Sequence, residues 1–302
     1  MTKNEIIELT GAQARDIYMN EPMSLHTSFR IGGNADCFCV VRNLEVLKKT
    51  IDCCKENNIP YFIIGLGSNL LVSDEGFRGM VIKLAGDFDE LSDAGENCLR
   101  CGAGMSLAGV CVYARNNSLG GIEFAWGIPG SVGGAVYMNA GAYGGEMKDI
   151  VRSVRYLDEQ GNICEKSAAE LDFSYRHSFF TDSSYIILDV TIELFRKNKN
   201  DIFYLMNDTM EKRKKKQPLN RPSAGSVFKR PETGYAAALI EECGLKGKTI
   251  GGAQVSEKHS GFIVNNGGAT EKDVRELIAY VQRIVEEKTG VKLQCEVRFI
   301  GP

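Results

Sequence analysis

The chain has 302 residues, 43% hydrophobic and 25% charged, with a formal net charge of −3. That is long enough for two or three small domains, each with its own core, and the near-balanced charge gives no general pull toward nucleic acid or an anionic membrane. No apolar run approaches the ~20 residues of a membrane span and Met1-Thr2-Lys3-Asn4-Glu5 lacks a signal-peptide core, so neither a nucleic-acid nor a membrane partner is expected and the expected location is cytoplasmic.

A polar helix is predicted over much of Lys3 to Tyr18, followed by a turn-rich entry at His26–Asp36 and a strand at Ala35–Arg42. Asn43 suits the N-cap of the next helix, whose apolar positions Leu44, Leu47, Ile51 and Cys54 follow the helical period. Asn57-Asn58 ends that helix and Pro60 blocks its continuation. Tyr61–Ile64 then reads as a short buried strand. The spacing predicts a βαβ unit with two parallel strands and a right-handed crossover. At the end of its second strand stands Gly65-Leu66-Gly67-Ser68-Asn69-Leu70-Leu71, where open α/β sheets bind ligands. This loop is neither the Rossmann fingerprint, since Leu70 takes the third glycine position, nor a P-loop, since no Gly-Lys-Ser/Thr ends it.

From Val81 the texture changes to strands at Val81–Leu84, Cys98–Gly102, Val151–Asp158 and Tyr185–Leu194, with one helix at Ser106–Asn117. Within this region lies the glycine-dense stretch Gly127–Glu146, which contains neither Lys nor Arg. Each interior glycine costs a regular element roughly 0.5–1 kcal/mol relative to alanine. Backbone N–H groups in such a stretch can cradle phosphate oxygens without a basic side chain. Plain glycine turns closing a β-rich core explain it equally well. Two glycine loops, each after a hydrophobic segment, point to one extended anionic ligand held from two sides.

Arg196–Asp201 is polar and marks a boundary, and the helix after it ends in Lys212-Arg213-Lys214-Lys215-Lys216. Such a run is either a solvated helix end complementing the dipole or a basic wall for a diphosphate. The Gln217–Pro231 loop follows, with Ala224 and Gly225 leaving room before Ser226. A helix at Tyr235–Cys243 closes at Gly244. Thr270, with Asp273 in the capping-box position, starts a helix from Glu271 to about Thr289 with an apolar stripe of Val274, Leu277, Ile278, Val281, Ile284 and Val285, and Gly290 stops it. Val291–Phe299 alternates strictly and predicts a strand with Val291, Leu293, Cys295, Val297 and Phe299 on the core face and Glu296 on the other. The ten cysteines include only a lone CxxC at Cys98 and Cys101, and His26, His177 and His259 are not spaced as ligands. They read as small buried residues of a reducing compartment, with no metal.

Taken together, Gly65–Leu71, Gly127–Gly134, Asn139–Gly144, Phe173–Ser178, Ser223–Phe228 and Cys295–Gly301 resemble the UDP-N-acetylenolpyruvoylglucosamine reductase family, in the family's order. The glycine loops alone resemble the wider class of flavin oxidases and dehydrogenases. The resemblance implies an α+β chain, with a two-subdomain FAD-binding fold of the vanillyl-alcohol-oxidase/PCMH type plus a C-terminal α+β substrate-binding domain, divided at 1–84, 85–198 and 199–302. It implies noncovalent FAD held by Gly65, Gly67, Ser68, Asn69, Leu70, Pro129, Gly130, Ser131, Gly133, Gly134, Asn139 and Gly141. It implies NADPH as hydride donor to the flavin, then hydride delivery to the enolpyruvyl ether of a UDP-sugar, the nucleotide-sugar substrate of peptidoglycan precursor synthesis. Arg176 would hold the substrate carboxylate, Ser226 would donate the proton, and Glu296 would orient or stabilise the enolic form as a neutral acid. Lys216, Lys229 and Arg230 are the candidates for the diphosphate. The short stretch between Arg176 and Ser226 leaves no room for the extra tyrosine-bearing loop of one branch, so the shorter branch is implied. A monomer is expected. Two rival readings stand beside this one: a different flavin oxidase on the same fold, and a non-catalytic nucleotide-sugar binding protein.

Overall fold

The computed structural model describes residues 1–302, and its first helix is shorter than the sequence suggests. Thr2 and Glu5 form a reciprocal capping box that starts the helix Lys3–Thr10. Gly11 ends it in the left-handed region at φ +70°, donating to Ile7 O, and the residues expected to continue it become the strand Ile17–Pro22. A glycine C-cap thus overrides the polar pattern that runs on to Tyr18.

The chain forms two compact units. One comprises Met1–Met19, Cys37–Leu66 and Met80–Lys212, the other Asn20–Asp36, Gly67–Gly79 and Arg213–Pro302. In sequence, the last change of unit falls inside the helix Lys199–Lys216.

A four-stranded sheet runs in the order Ile17–Pro22, Asn34–Val41, Phe77–Leu84, Tyr61–Ile64. The two strands of the expected βαβ unit are separated by a third. Asn34–Val41 and Tyr61–Ile64 are not neighbours, because Phe77–Leu84 lies between them and pairs in parallel with Tyr61–Ile64, Phe62 opposite Val81. The reason lies in composition. Met80, Val81 and Ile82 are a continuous buried apolar run, which suits an interior strand, whereas the four-residue Tyr61–Ile64 suits an edge. The intervening helix Leu44–Glu56 is capped by the Asn43 side chain, which accepts from Val46 N at 2.9 Å, and buries Leu47, Ile51 and Cys54.

The second sheet of this unit is antiparallel, ordered Ile163–Ser167, Val151–Leu157, Ile186–Glu193, Cys98–Gly102, Leu91–Asp93. Ile163–Ser167 escaped the sequence reading because it is an edge strand with no fully buried residue. The helix Leu107–Asn116 starts where Ser106 Oγ accepts from Gly109 N. One apolar core joins both sheets and both helices through residues such as Leu47, Ile82, Leu99, Leu107, Val154 and Val190.

The other unit is built on the helix Glu271–Thr289, with the Thr270–Asp273 box and the Gly290 stop both formed. Val274, Leu277, Ile278, Val281 and Val285 are buried, with Ile284 at the margin. They pack with the helix Ala236–Glu242 and a three-stranded antiparallel sheet, Thr249–Ile250, Ala253–Val255 and Ile263–Asn265. Val291–Phe299 departs from expectation. Only Arg298–Ile300 is a regular strand, parallel to Leu70–Val72. Leu293 and Val297 are buried, but Phe299 is 36% exposed, its ring 4.6 Å from the Arg275 guanidinium. Gln282 Nε2 takes Leu293 O at 2.8 Å, so the segment is tied residue by residue rather than by a continuous ladder.

All ten cysteines are free, eight buried and two half-buried. No helix is long and apolar enough to cross a membrane.

Candidate active site

The two glycine loops meet at Gly65 and Ser131. A Cβ placed on Gly65 would stand 2.4 Å from Ser131 Oγ, so no side chain fits where the Tyr61–Ile64 strand ends. Ser131 is buried and its Oγ accepts from Gly134 N at 3.3 Å, capping the short helix Val132–Tyr137. Such a helix was not expected in so glycine-rich a stretch. It forms because Gly133 lies against Ala103: Gly133 N donates to Ala103 O at 2.9 Å, and a Cβ there would be 3.0 Å from Ala103 Cβ. Ser131 also faces Ser106 in an antiparallel bridge, flanked by Leu107 N–H to Gly130 O at 3.0 Å and Val132 N–H to Met105 O at 2.8 Å. In a pair of this type each residue's own N–H points away from its partner. The Ser131 amide is therefore aimed away from Ser106, a backbone donor of the kind that receives a phosphate oxygen.

Further along the same segment two assigned residues, Asn139 and Gly141, are held by contacts within the protein. Asn139 is fully buried. Its Nδ2 donates to Glu146 Oε2 at 2.7 Å and to Ser174 O at 3.0 Å, and its Oδ1 accepts from Lys148 N at 3.0 Å. The carboxamide is thus bonded within the protein. Gly141 sits in a tight hairpin, Gly141–Ala142 against Gly145–Glu146, where a Cβ would be 2.6 Å from Glu146 Cβ. The hairpin by itself requires that glycine.

Asn139 leads to Arg176. Ser174, whose carbonyl it holds, pairs with His177 through two 3.2 Å backbone bonds, closing a tight turn over Tyr175 and Arg176. Arg176 has φ +56°, a region where a non-glycine residue is uncommon and persists only when its surroundings over-determine it. Its guanidinium lies 5.0 Å from the Tyr175 ring centroid.

Gly67, Ser68, Asn69, Leu70, Lys216, Ser226, Lys229, Arg230 and Glu296 belong to the second unit. Gly67 has φ +61°, and a Cβ there would be 2.0 Å from His26 O; Ser28 N donates to its carbonyl at 3.1 Å. This glycine is demanded by its own backbone neighbours. Asn69 Nδ2 donates to Glu296 O at 3.0 Å, and Asn69 O accepts from Arg298 N at 3.0 Å. Leu70 then begins the strand opposite Arg298. The segment carrying Ser226 is extended between two neighbours. On one side Ser226 bridges Phe262 and Val227 N donates to Gly261 O at 2.9 Å. On the other, Phe228 bridges Cys295, with Glu296 N donating to Val227 O at 2.7 Å and Lys229 N to Gln294 O at 2.8 Å. Gly225, at φ +77° with open space around it, admits the bend before Ser226. The structure therefore brings Asn69, Ser226 and Glu296 onto three adjoining stretches of backbone, with Ser226 and Glu296 both half-buried.

Lys229 is half-buried, and Arg230 is exposed with its guanidinium 4.4 Å from the Tyr235 ring centroid. Lys216 ends its helix exposed. His259, weighed in the sequence only as a metal ligand, stands in the turn that carries Gly261 and Phe262. Burial lowers its pKa, with Lys246 and Lys216 adding to the effect and Glu241 opposing it. The signal that could have found it is the Ser256–Gly261 turn chemistry between two apolar runs.

Residues 217–300 match the family model described as the UDP-N-acetylenolpyruvoylglucosamine reductase C-terminal domain, and residues 35–167 match an FAD binding domain. The UDP-N-acetylenolpyruvoylglucosamine reductase of Lachnoclostridium phytofermentans is 50% identical over 290 residues, covering 93% of this chain and 92% of the relative. That of Caldanaerobacter subterraneus is 49% identical over 285 residues, covering 94% of each. The chain belongs to the UDP-N-acetylenolpyruvoylglucosamine reductase family. The crystal structure of the Thermus caldophilus family member superposes with a TM-score of 0.81 at 36% identity, covering 94% of this chain and 98% of that one. Berberine bridge enzyme from Eschscholzia californica, at 16% identity and a TM-score of 0.50 over 66% of this chain, shares the fold. The architecture is the two-subdomain FAD-binding fold joined to the family's C-terminal domain, and the chain is an FAD-dependent oxidoreductase. The FAD-binding match spans both glycine loops and the C-terminal match spans Ser226, Lys229, Arg230 and Glu296. Arg176 and Lys216 fall between the two. The Ser131 amide, in a stretch without a basic side chain, fits a dinucleotide's phosphate.

Proposed function

We propose that the chain reduces the enolpyruvyl ether of UDP-N-acetylglucosamine to UDP-N-acetylmuramate in peptidoglycan precursor synthesis, with NADPH as electron donor, acting as a cytoplasmic monomer. We assign the parts as 1–84 and 85–198 for the two FAD-binding subdomains and 199–302 for the substrate domain. The observation that carries the reading is the backbone bond from Glu296 N to Val227 O, which joins the backbone segments of the two C-terminal assigned residues, Ser226 and Glu296.

FAD, held noncovalently by the glycine-loop residues, would supply the hydride chemistry between NADPH and the terminal vinyl carbon. The chain's own residues manage the charge that results. Breaking the C=C π bond leaves a carbanion beside the carboxylate, and Ser226 Oγ–H gives its proton to that carbon, the resulting alkoxide being reprotonated from solvent. Arg176 grips the carboxylate with a fork that lysine lacks and offsets the growing negative charge. Glu296 orients or stabilises the enolic form. Preorganised donors of this kind are typically worth about 2.7–4 kcal/mol each. Lys216, Lys229 and Arg230 serve the diphosphate. Gly65, Gly67, Ser68, Leu70, Pro129, Gly130, Ser131, Gly133 and Gly134 line or shape the FAD site, and Asn69 steadies it through Glu296.

The test is anaerobic. The purified protein should carry a flavin spectrum, bleach with NADPH, and recover its colour on addition of the enolpyruvyl substrate with formation of UDP-N-acetylmuramate. Rapid bleaching without recovery by that substrate would overturn the assignment.

A further inference from the structure

His259 holds the strand that Ser226 leans on. Its Nδ1 accepts from Gly261 N at 3.2 Å, and its backbone carbonyl accepts from Phe262 N at 2.9 Å. Its ring packs edge-on to Phe262 at 4.9 Å between centroids. A Cβ on Gly261 would be 3.1 Å from the imidazole Cε1, so the ring lies directly on the Gly261 backbone. Gly261 in turn accepts from Val227 N at 2.9 Å, and Phe262 bridges Ser226. The Ser256 hydroxyl secures the base of the turn, accepting from Lys258 N and His259 N at 3.2 and 3.3 Å. A short relay results: His259 Nδ1, the Gly261 amide, the Gly261 carbonyl, the Val227 amide, and then the serine one residue back.

Resting on the assignment of Ser226 above, we infer that His259 is the positioning residue for Ser226, acting as a neutral imidazole whose Nδ1 must remain an acceptor. An imidazolium carries a proton on both nitrogens, so protonating His259 would set an N–H against the Gly261 N–H and turn the Ser260–Gly261 peptide, displacing the Gly261 carbonyl of the next peptide that accepts from Val227. Burial, the largest influence, and the flanking Lys246 and Lys216 favour the neutral ring, while a backbone hydrogen bond at His259 and the charge of Glu241 oppose them, and the net direction is downward. The proton-transfer half-reaction should therefore fall off on the acid side as His259 titrates, below the ordinary histidine range near 6.5. Flavin reduction by NADPH should not follow that profile.

The experiment compares His259→Phe, which keeps a ring without an acceptor, with His259→Asn, whose side-chain oxygen lies near the place of Nδ1. Both half-reactions are followed by stopped-flow across pH 5–8, in FAD-loaded protein with melting temperatures recorded. His259→Phe should reoxidise with enolpyruvyl substrate roughly tenfold more slowly, the loss expected for one hydrogen bond of about 1.4 kcal/mol, with flavin reduction near wild type. His259→Asn should recover most of that rate and lose the acid-side fall. Wild-type reoxidation in His259→Phe, or an acid limb that persists in His259→Asn, would overturn the inference. If His259→Phe does not fold, the pH profile of His259→Asn decides alone. Ser226→Ala is run beside them. If it reoxidises normally the reading of Ser226 itself fails, whereas slow Ser226→Ala with normal His259→Phe removes only the role of His259.

Discussion

Glu296 donates its backbone N–H to Val227 O at 2.7 Å, so the segment bearing the proposed enol-stabilising acid is bonded one residue away from the proposed proton donor. Asn69 fixes the other side of the Glu296 peptide by donating to its carbonyl at 3.0 Å. A side chain held at both ends of its peptide loses little further freedom on reaching a transition state, which is what positioning for catalysis requires. Substituting either side chain should leave these backbone bonds intact and remove only the chemistry.

Glu296→Gln keeps a hydrogen-bond donor and cannot yield a proton. If the carboxyl supports the proton-transfer half-reaction, its reoxidation by substrate should slow by 10²–10⁴-fold, the usual contribution of a positioned acid or base. Its reduction by NADPH should match wild type. Arg176→Lys should slow the same half-reaction and also raise the substrate KM, because the charge remains but the fork is lost.

The glycines of the first loop should separate into two kinds. Gly65→Ala sets a Cβ 2.4 Å from Ser131 Oγ and should weaken FAD binding, read by titrating apoprotein with FAD. Gly67→Ala drives a Cβ to 2.0 Å from His26 O and should lower the melting temperature even without FAD. Gly161, at φ +78° with nothing within 4 Å, should accept Asn with little effect on either measurement.

Asn139→Ala deletes two donors and an acceptor in a fully buried place. Leaving buried polar partners unsatisfied costs about 1–3 kcal/mol each, so denaturant unfolding should show a clear loss of stability. Because Asn139 holds the Ser174 carbonyl at the base of the Arg176 turn, KM for the enolpyruvyl substrate should rise while FAD affinity stays close to wild type. A loss of FAD affinity alone would return Asn139 to the cofactor site.

Much of this was readable from residues whose meaning is local. Thr270 with Asp273, Gly290, Asn43 and Ser106 act on backbone within four positions of themselves, and each element they bound formed where the pattern put it. The misreadings concern partners far along the chain. Nothing near Tyr61 announces that Phe77–Leu84 will insert beside it. The alternation at Val291–Phe299 is genuine in sequence, but Gln282 and Val227 take its backbone groups singly. Glycine density was legible and its causes were not: Gly67 answers to His26, Gly133 to Ala103, Gly141 to Glu146, and Gly65 to Ser131. The bonds of Asn139 to Glu146, Ser174 and Lys148 were not legible either, because a buried asparagine and a ligand-facing one look alike in sequence.

The cysteines should be inert in the native protein. Burial pushes Cys39, Cys54, Cys101 and Cys111 up to about 12, far from any thiolate at neutral pH. Iodoacetamide at pH 8 should label at most the half-buried Cys164 and Cys295 at an appreciable rate, and all ten after denaturation. Mass spectrometry of the native digest reads this directly, and rapid native alkylation of Cys39 or Cys101 would contradict the packing.

The central claim is that Ser226 supplies the proton of the second half-reaction and takes no part in the first. Anaerobic stopped-flow absorbance at the flavin band, on Ser226→Ala loaded with FAD, tests it most directly. Reduction by NADPH should run at the wild-type rate. Reoxidation by the enolpyruvyl ether of UDP-N-acetylglucosamine should fall 10²–10⁴-fold, roughly 3–5 kcal/mol of barrier. If Ser226→Ala slowed reduction as much as reoxidation, Ser226 would be shaping the flavin site rather than giving a proton, and the account would be wrong at its centre.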